Sequence, residues 1–474
     1  MQAFKLTLVA AAVASALPLS AQAADTQFDH FTPLASSAGP TADEATPITL
    51  SSPNFKQVSI ADRNNHLAQG QGDTGSWDMI TANETGPDAG RYLFMPYETG
   101  QGGVQRIDLW DNNYNTRTTT IVAPGTQNFV AGDASRWTPW GTYLTAEESW
   151  SDPAEAASQY GRLFEVTNPT TAGLNGGDFV HRKIGPADIR VSHEGLAFDK
   201  SNNFYFIDER NDSHIFKFTS ANPDATNGAD FFGAGLTSVL RVGNGTAKEA
   251  TGNYNWIALT DLAGVALAGT VVKTDPNGLE ILDGRATPNL ADFLGTDFDR
   301  PEDLEIHTLA NGDEALYVAT TTNHKVFALN LDKNEINLFA NRSTKDLATG
   351  NAVGNGLSNP DNLAVDSEGN IYIIEDRNGA VDDDIWFAKD LNHDGDLLDE
   401  GEGLGRWASN GTPGSEFTGL YFDKFDPNTA YVNIQHPSSG NDRTMQINAV
   451  PVPGAVWMFG SALLGMIGLR RRKA

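Results

Sequence analysis

Apolar and polar residues alternate in short runs along most of this chain, and the runs tend to stop at an acid. FMPYE (to Glu98), YLTAEE (to Glu148), YFIDE (to Glu209), YVATT (to Thr321), YIIED (to Asp376) and YVNIQH (to His436) share a period of two, the pattern of a half-buried strand. Their ends lie 50, 61, 112, 55 and 60 residues apart. All but one of these intervals approach the length of a four-stranded propeller blade. Further strands follow each end across a turn, in YGRLFEVT, SHIFKFT, HKVFALNL and DDIWFAKD, and others precede it, in GLAFD, DLEIH, NLAVD and GLYFD. With Gly and Asn at the turns and little helical periodicity, the pattern predicts an all-β chain folded as a six-bladed β-propeller. The odd interval carries residues 222–299, rich in Gly, Ala and Asn, with a short helix expected near 288–294. It reads as a long insertion between blades, and a seventh, degenerate blade stays open.

Such a fold gathers distant residues. The innermost strands radiate about one channel, and the loops leading into them share a face. HEG (193–195), RPED (300–303), NPDN (359–362) and SEFTG (415–419) all lie in such loops. Their carboxylates are expected at one mouth, where they would repel each other and force protonation unless cations neutralise them. A single acid in such a loop is more often a turn cap. The same placement in four blades points to metal.

TPWGTYLTAEE, HEGLAFD, RPED, NPDNLAVD with IIEDR, and FTGLYFD with YVNIQHP follow one another over 136–443. In that order they resemble the motifs of the PhoX-type bacterial alkaline phosphatases. The resemblance implies a secreted six-bladed propeller whose channel holds calcium and iron and which hydrolyses phosphomonoesters. Residue by residue, it nominates Glu147, Glu148, Glu194, Glu302 and Asp361 as metal ligands, Arg300 as the phosphate contact and Asn362 as the residue that orients the phosphate. An arginine beside a metal-binding carboxylate offers a planar fork to phosphate oxygens; the plainer reading of Arg300 is an ion pair with Asp299 or Asp303. Two departures matter. The family's strand ends in Thr-Cys-Glu-Glu with an iron-binding thiolate, and here that place is Ala146. Relatives also tend to carry a twin-arginine export signal, where this chain has a single Lys5. Both point to a calcium-dominated or catalytically weakened member.

Composition narrows the chemistry. The 474 residues hold 32 Lys and Arg against 61 Asp and Glu, a net charge of −29. That charge argues against nucleic acid and anionic lipid as partners and favours hard cations. The absence of cysteine removes disulfides, thiolate sites and a Cys nucleophile. No G-x-S-x-G elbow or H-E-x-x-H helix is present. DLNHDGDLLDEGE (390–402) places Asp390, Asn392, Asp394 and Asp396 at positions 1, 3, 5 and 7 of a calcium loop, with Gly395 at position 6 but Gly401 in place of the closing Glu. A structural calcium is expected there. The run with Asp382, Asp383 and Asp384 reads as a solvated hairpin tip, and Trp137, Trp140, Trp150 and Trp256 as core between blades. His193 and His436 flank the expected mouth as candidate proton donors.

Both ends read as targeting segments. Residues 1–23 have Lys5, an apolar stretch and an A-x-A site, the form of a secretory signal. Residues 456–469 are apolar and precede Arg470-Arg471-Arg472-Lys473, a transmembrane-like tail short for a permanent anchor. With the Pro-rich hinge before it, this tail resembles a PEP-CTERM sorting signal, although Val452 replaces the family's Glu, and it implies an exosortase-type processing partner. The expectation is a monomeric domain at 24–448, exported in a Gram-negative bacterium, that takes a small phosphate ester. A calcium-dependent lactonase or phosphodiesterase, and a non-catalytic calcium-binding surface protein, remain open.

Overall fold

Hairpin after hairpin, the alternating runs pair as antiparallel strands, because each strand has one face per neighbouring blade to bury. The computed structural model describes residues 26–150, 158–377, 379 and 383–450; the signal and sorting segments and Asp382 lie outside them. Blade one comprises Thr81–Ala82, Tyr92–Pro96, Val104–Asp108 and Thr118–Val122, and blade two Gly132–Trp137, Tyr143–Glu147, Leu163–Val166 and Phe179–Arg182. Blade three runs Leu196–Phe198, Phe204–Ile207, Ile215–Ser220 and Gly235–Val242; blade four runs Pro301–Thr308, Glu314–Thr320, Lys325–Asn330 and Glu335–Asn341. Blade five has Pro360–Val365, Ile371–Glu375, Asp384–Lys389 and Gly403–Asn410, with Ile48–Leu50 added outside. Blade six has Glu416–Phe422, Thr429–Gln435 and Arg443–Ala449, and its outermost strand is Phe55–Asp62 from the other end of the chain. That last pairing closes the ring, so no seventh blade is needed.

The 222–299 segment differs from the expected insertion. Its first part supplies the outer strand Gly235–Val242 of blade three and a further strand, Gly252–Ala258, which also pairs with the outer strand of blade four. Only the rest is appended. Val272–Thr274 and Glu280–Asp283 form a small sheet with Ile189–Arg190. The helix expected near 288–294 is a single 3-10 turn, Thr287–Asn289.

Aromatic side chains fill the wedges between blades. Phe28, wholly buried, packs edge-on against Phe55, Trp407 and Phe422. Burying such a side chain contributes about 2–3 kcal/mol, so the N-terminal segment is bound firmly across blades five and six. Trp137 and Trp150 are buried as expected, Trp137 stacked on Phe94. The fold therefore presents a rigid ring whose inner ends meet at one mouth.

Candidate metal and phosphate site

Each second strand ends on two residues that face different ways. The first members in blades two, three and five are Glu147, Asp208 and Glu375, all fully buried. They accept from backbone N–H groups of Val130 at 3.3 Å, Ser192 at 2.8 Å and Ser358 at 2.7 Å, each in the loop leading to its own inner strand. These carboxylates fasten the mouth loops. Glu147, nominated as a ligand, is of this kind: Arg162 donates to both of its oxygens, from Nε at 3.0 Å and Nη2 at 2.6 Å. Its charge is already balanced, and it does not line the mouth.

The second members are Glu98, Glu148, Glu209, Thr321 and Asp376 in blades one to five. Their N–H groups donate to Ser76, Ala131, Ser192, Arg300 and Asn359 carbonyls at 2.9–3.0 Å. Of these acceptors, Ser76, Ala131, Arg300 and Asn359 have φ between +42° and +53°. A left-handed residue other than glycine costs on the order of 1–2 kcal/mol. Repeating that cost in four blades marks a conformation kept for what it positions. Two residues later come Asp78, Asp133, Glu302 and Asp361, and bulges at 132–135, 301–304 and 360–363 break the strand register there. A bulge re-aims side chains, and here it brings acids to the channel axis.

The result is a cavity of about 400 Å³ lined by Asp78, Asp133, Glu194, Asp361 and Glu416 from inner strands or their lead-in loops, and by Glu98, Glu148, Glu209 and Asp376 from second strands. Arg300 and His436 are its basic residues. Within it, oxygens of Asp133, Glu148 and Glu209 lie within 4.8 Å of one another, as do those of Glu194, Glu209 and Glu302. Glu209 belongs to both triads. Burial, then neighbouring carboxylates, hold Asp78, Asp133, Glu148, Glu194 and Asp361 well above the usual carboxylate range. Burial, then Glu209, push Glu302 up to about 8. Asp133 Oδ1, Glu209 Oε2 and both oxygens of Glu302 are buried without a hydrogen bond among the described residues. Converging, desolvated, unbonded carboxylate oxygens are what a hard oxygen-ligated cation such as calcium needs.

Arg300 spans the triads. Its Nε donates to Glu209 Oε1 at 2.9 Å, its Nη2 donates to the same oxygen, and Nε stands 3.1 Å from Glu302 Oε1. Desolvation opposes its charge, but Glu302 and Glu209 outweigh it and raise the pKa. Asn362 is spent on protein: it donates to Glu194 Oε1 at 3.1 Å and accepts from Gly419 N–H at 2.7 Å. It therefore positions Glu194, which differs from the expected contact with phosphate.

Other expectations fall elsewhere. His193 is fully buried away from the mouth, and burial drives it down to about 3, which removes it as a proton donor. His436 does line the mouth, with its hydrogen bond to Glu416 holding it up to about 10, and its Nδ1 lies 2.9 Å from the Gly414 carbonyl. Asp383 and Asp384 are buried, not a solvated tip; Asp384 accepts from Arg406 Nε and Ser37 Oγ. In the 390–402 loop, Asp390 accepts from Gly395 and Asp394 N–H, Asp394 from Asp396, and Asp396 from Leu398. Asn392 donates to Asp394 and Asp399. The loop has the turn that Gly395 permits at φ +91°, but its carboxylates bond its own backbone and do not converge as the mouth triads do. Ala146 is wholly buried in the core between blades two and three, packed in one cluster with Leu144, Leu163 and Phe206.

The profile of the alkaline phosphatase PhoX family matches residues 85–438. The chain belongs to the PhoX alkaline phosphatase family. Among solved structures, it is similar to Pseudomonas fluorescens PhoX in complex with vanadate, a transition state analogue, at 16% identity and a TM-score of 0.58, over 88% of this chain and 98% of that one. It is also similar to a luciferin-regenerating enzyme at 8% identity and a TM-score of 0.41, over 81% and 95% of the two chains. No curated protein sequence matches it significantly. As a PhoX member, the chain is an alkaline phosphatase, and metal dependence accords with the family.

The sequence motifs named Glu148, Glu194, Glu302, Asp361 and Arg300, and all five come together with Glu209. Glu209, Asp133, Asp78, Glu98, Asp376 and Glu416 were not nominated. The strand-end repeat had already aligned Glu98, Glu209 and Asp376 with Glu148, so the period carried that signal.

Proposed function

We propose that this PhoX-family chain hydrolyses phosphate monoesters outside the cytoplasm, at a cluster of calcium ions held by Asp133, Glu148, Glu194, Glu209 and Glu302, with Asp361 beside them. The observation that carries this reading is Glu209, shared by two carboxylate triads and bonded to Arg300. When bound, such cations neutralise phosphate oxygens and acidify water for attack on phosphorus. The chain's own residues do the rest. Glu209 and Glu302 hold the Arg300 fork at the edge of the cavity, where it meets the phosphate's remaining oxygens. Asn362 keeps Glu194 aimed inward, and His436, bonded to Glu416, keeps a proton at the mouth. The low-dielectric walls strengthen each of these contacts.

Calcium is preferred because every donor in the triads is a carboxylate oxygen. Iron is not required by this reading, since Ala146 offers no thiolate. The same residue favours one competing reading, a calcium-stabilised propeller without turnover. Export follows from the form of 1–23, and processing by an exosortase-type enzyme from that of 449–474; we read the mature domain as a monomer. A panel of phosphate monoesters, diesters and lactones, assayed with calcium, tests the function: turnover confined to monoesters supports it, and preference for a diester or lactone, or no turnover, overturns it.

A further inference from the structure

Inner strands start at the mouth and end at the opposite face of the ring. Glu416 lines the metal cavity, whereas Leu420 and Tyr421, further along the same strand, line a second cavity of about 410 Å³. Blade five repeats this, with Asp361 at the first cavity and Leu363 at the second. Asn362 stands between them, bonded to Glu194 and Gly419, and the two cavities share no lining residue. The second falls within the ~300–1,000 Å³ of small-molecule sites, which combine apolar walls with a few aimed polar groups.

Its chemistry is the reverse of the mouth's. Ile80, Ile306, Leu363 and Leu420 give it an apolar wall. The charges at its edge are spent on each other. Arg136 donates from Nη2 to Glu305 Oε1 at 2.8 Å and to the Leu304 carbonyl at 3.0 Å, and Lys424 Nζ lies 2.7 Å from Glu84 Oε1. Asp366 and Asp423 accept from N–H groups of their own turns. Both carboxylate triads lie at the mouth, so among the described residues no such group converges here on a metal. Two polar atoms of this wall are buried without a hydrogen bond among the described residues, Arg136 Nε and the Tyr421 hydroxyl. The guanidinium nitrogen can only donate. Burial, then Glu84 and Asp423, hold the phenol above its usual range, so it too keeps a proton to donate. A buried donor costs stability until an acceptor reaches it.

A charged guest would bring a charge with no partner into a site whose charges are already balanced. Water would meet the donors but leave the apolar wall wet. We propose that this far end of the channel binds a small uncharged compound with an apolar body and an oxygen acceptor, such as an aryl ketone. Its oxygen accepts from the Tyr421 hydroxyl, with Arg136 Nε as the second donor of the wall, and its body covers Ile80, Ile306 and Leu363. The site is separate from the phosphate chemistry and does not rest on it.

Ligand-observed NMR of the purified protein with acetophenone, benzoate, benzylammonium and isopropylbenzene decides it, since the four share a ring and differ in the head group. Acetophenone is expected to bind with a Kd of ~1 mM or below, at least about fivefold tighter than the other three. Tyr421→Phe should weaken it about fivefold and leave calcium affinity within about twofold. Ile306→Trp fills the cavity and should abolish the binding, which serves as a second variant should Tyr421→Phe fail to fold. Equal affinity for acetophenone and any of the other probes, or unchanged acetophenone affinity in a folded variant, overturns the site. Displacement of acetophenone by inorganic phosphate would put the probe in the mouth and also overturns it. No acetophenone binding up to ~10 mM would mean that the cavity holds water only.

Discussion

Arg300 donates Nε to Glu209 Oε1 at 2.9 Å from a backbone held at φ +53°. A strained residue thus delivers a cation to the one carboxylate that both triads share. Replacing it with alanine is expected to lower kcat/KM for phosphate monoesters by about 10²–10³-fold, the scale of losing one donor to a transition-state anion. Lysine should restore little, because it lacks the planar fork. Steady-state kinetics of the two variants check this; a change below about threefold in Arg300→Ala would remove Arg300 from the reaction.

Neighbouring glutamates should behave as different kinds of residue. Glu147 faces Arg162 and the mouth-loop backbone. Glu147→Ala takes the acceptor from the Val130 and Arg162 N–H groups, and the carboxylate from a guanidinium that keeps the Gln127 and Asn128 carbonyls. It is expected to cost about 1–3 kcal/mol of stability. Glu148 points to the cavity, so Glu148→Gln should weaken calcium binding without lowering the stability of the calcium-free protein. Denaturant unfolding with and without calcium separates them. Equal destabilisation by both would mean that the side chains do not diverge as described.

In the absence of cations, stability should fall as pH rises. Burial, then Glu209, hold Glu302 up to about 8, and burial, outweighing the His436 hydrogen bond, holds Glu416 up to about 8, whereas unfolded glutamates titrate near ~4.3. Between those values the native state keeps protons that the unfolded chain has lost, so each step up in pH favours unfolding. Calcium replaces the protons, so its stabilising effect should grow over the same window. Melting temperatures at pH 5 and pH 8, with chelator and with calcium, test the sign; a chelated protein more stable at pH 8 contradicts it.

From blade five, Asn362 ties Glu194, in the loop leading into blade three, to Gly419 of blade six. Asn362→Leu should cost about 1–3 kcal/mol by orphaning a buried N–H, and should weaken calcium binding about 10–100-fold through Glu194. Calcium titration reads the second effect. Unchanged calcium affinity in a folded variant would limit Asn362 to bracing the blades.

The propeller was legible because its signal is periodic. Six strand ends, with four of their five intervals between 50 and 61 residues, point to six blades, and each loop before GLAFD, DLEIH, NLAVD and GLYFD then has a place at the mouth. Ligand choice was less legible, because adjacent acids such as Glu147 and Glu148 read alike in sequence. Strand alternation and the bulges decide which of the pair reaches the channel. Asp133 lies in GDASRW, where nothing local marks it; only the left-handed turn at Ala131 and the bulge after Gly132 aim it inward. The 222–299 segment misled for a related reason. Its Gly- and Asn-rich composition resembles loop, yet Gly235–Val242 finds the open edge of blade three, and a free edge recruits a strand whatever its propensity.

The measurement that bears most directly on the account is hydrolysis of p-nitrophenyl phosphate by the purified protein and its Glu209→Gln variant, each with calcium and with chelator. The account predicts turnover that requires calcium and falls at least ~100-fold in Glu209→Gln, with no loss of melting temperature in the chelated variant. Turnover indifferent to both calcium and Glu209 would place the chemistry elsewhere and contradict it.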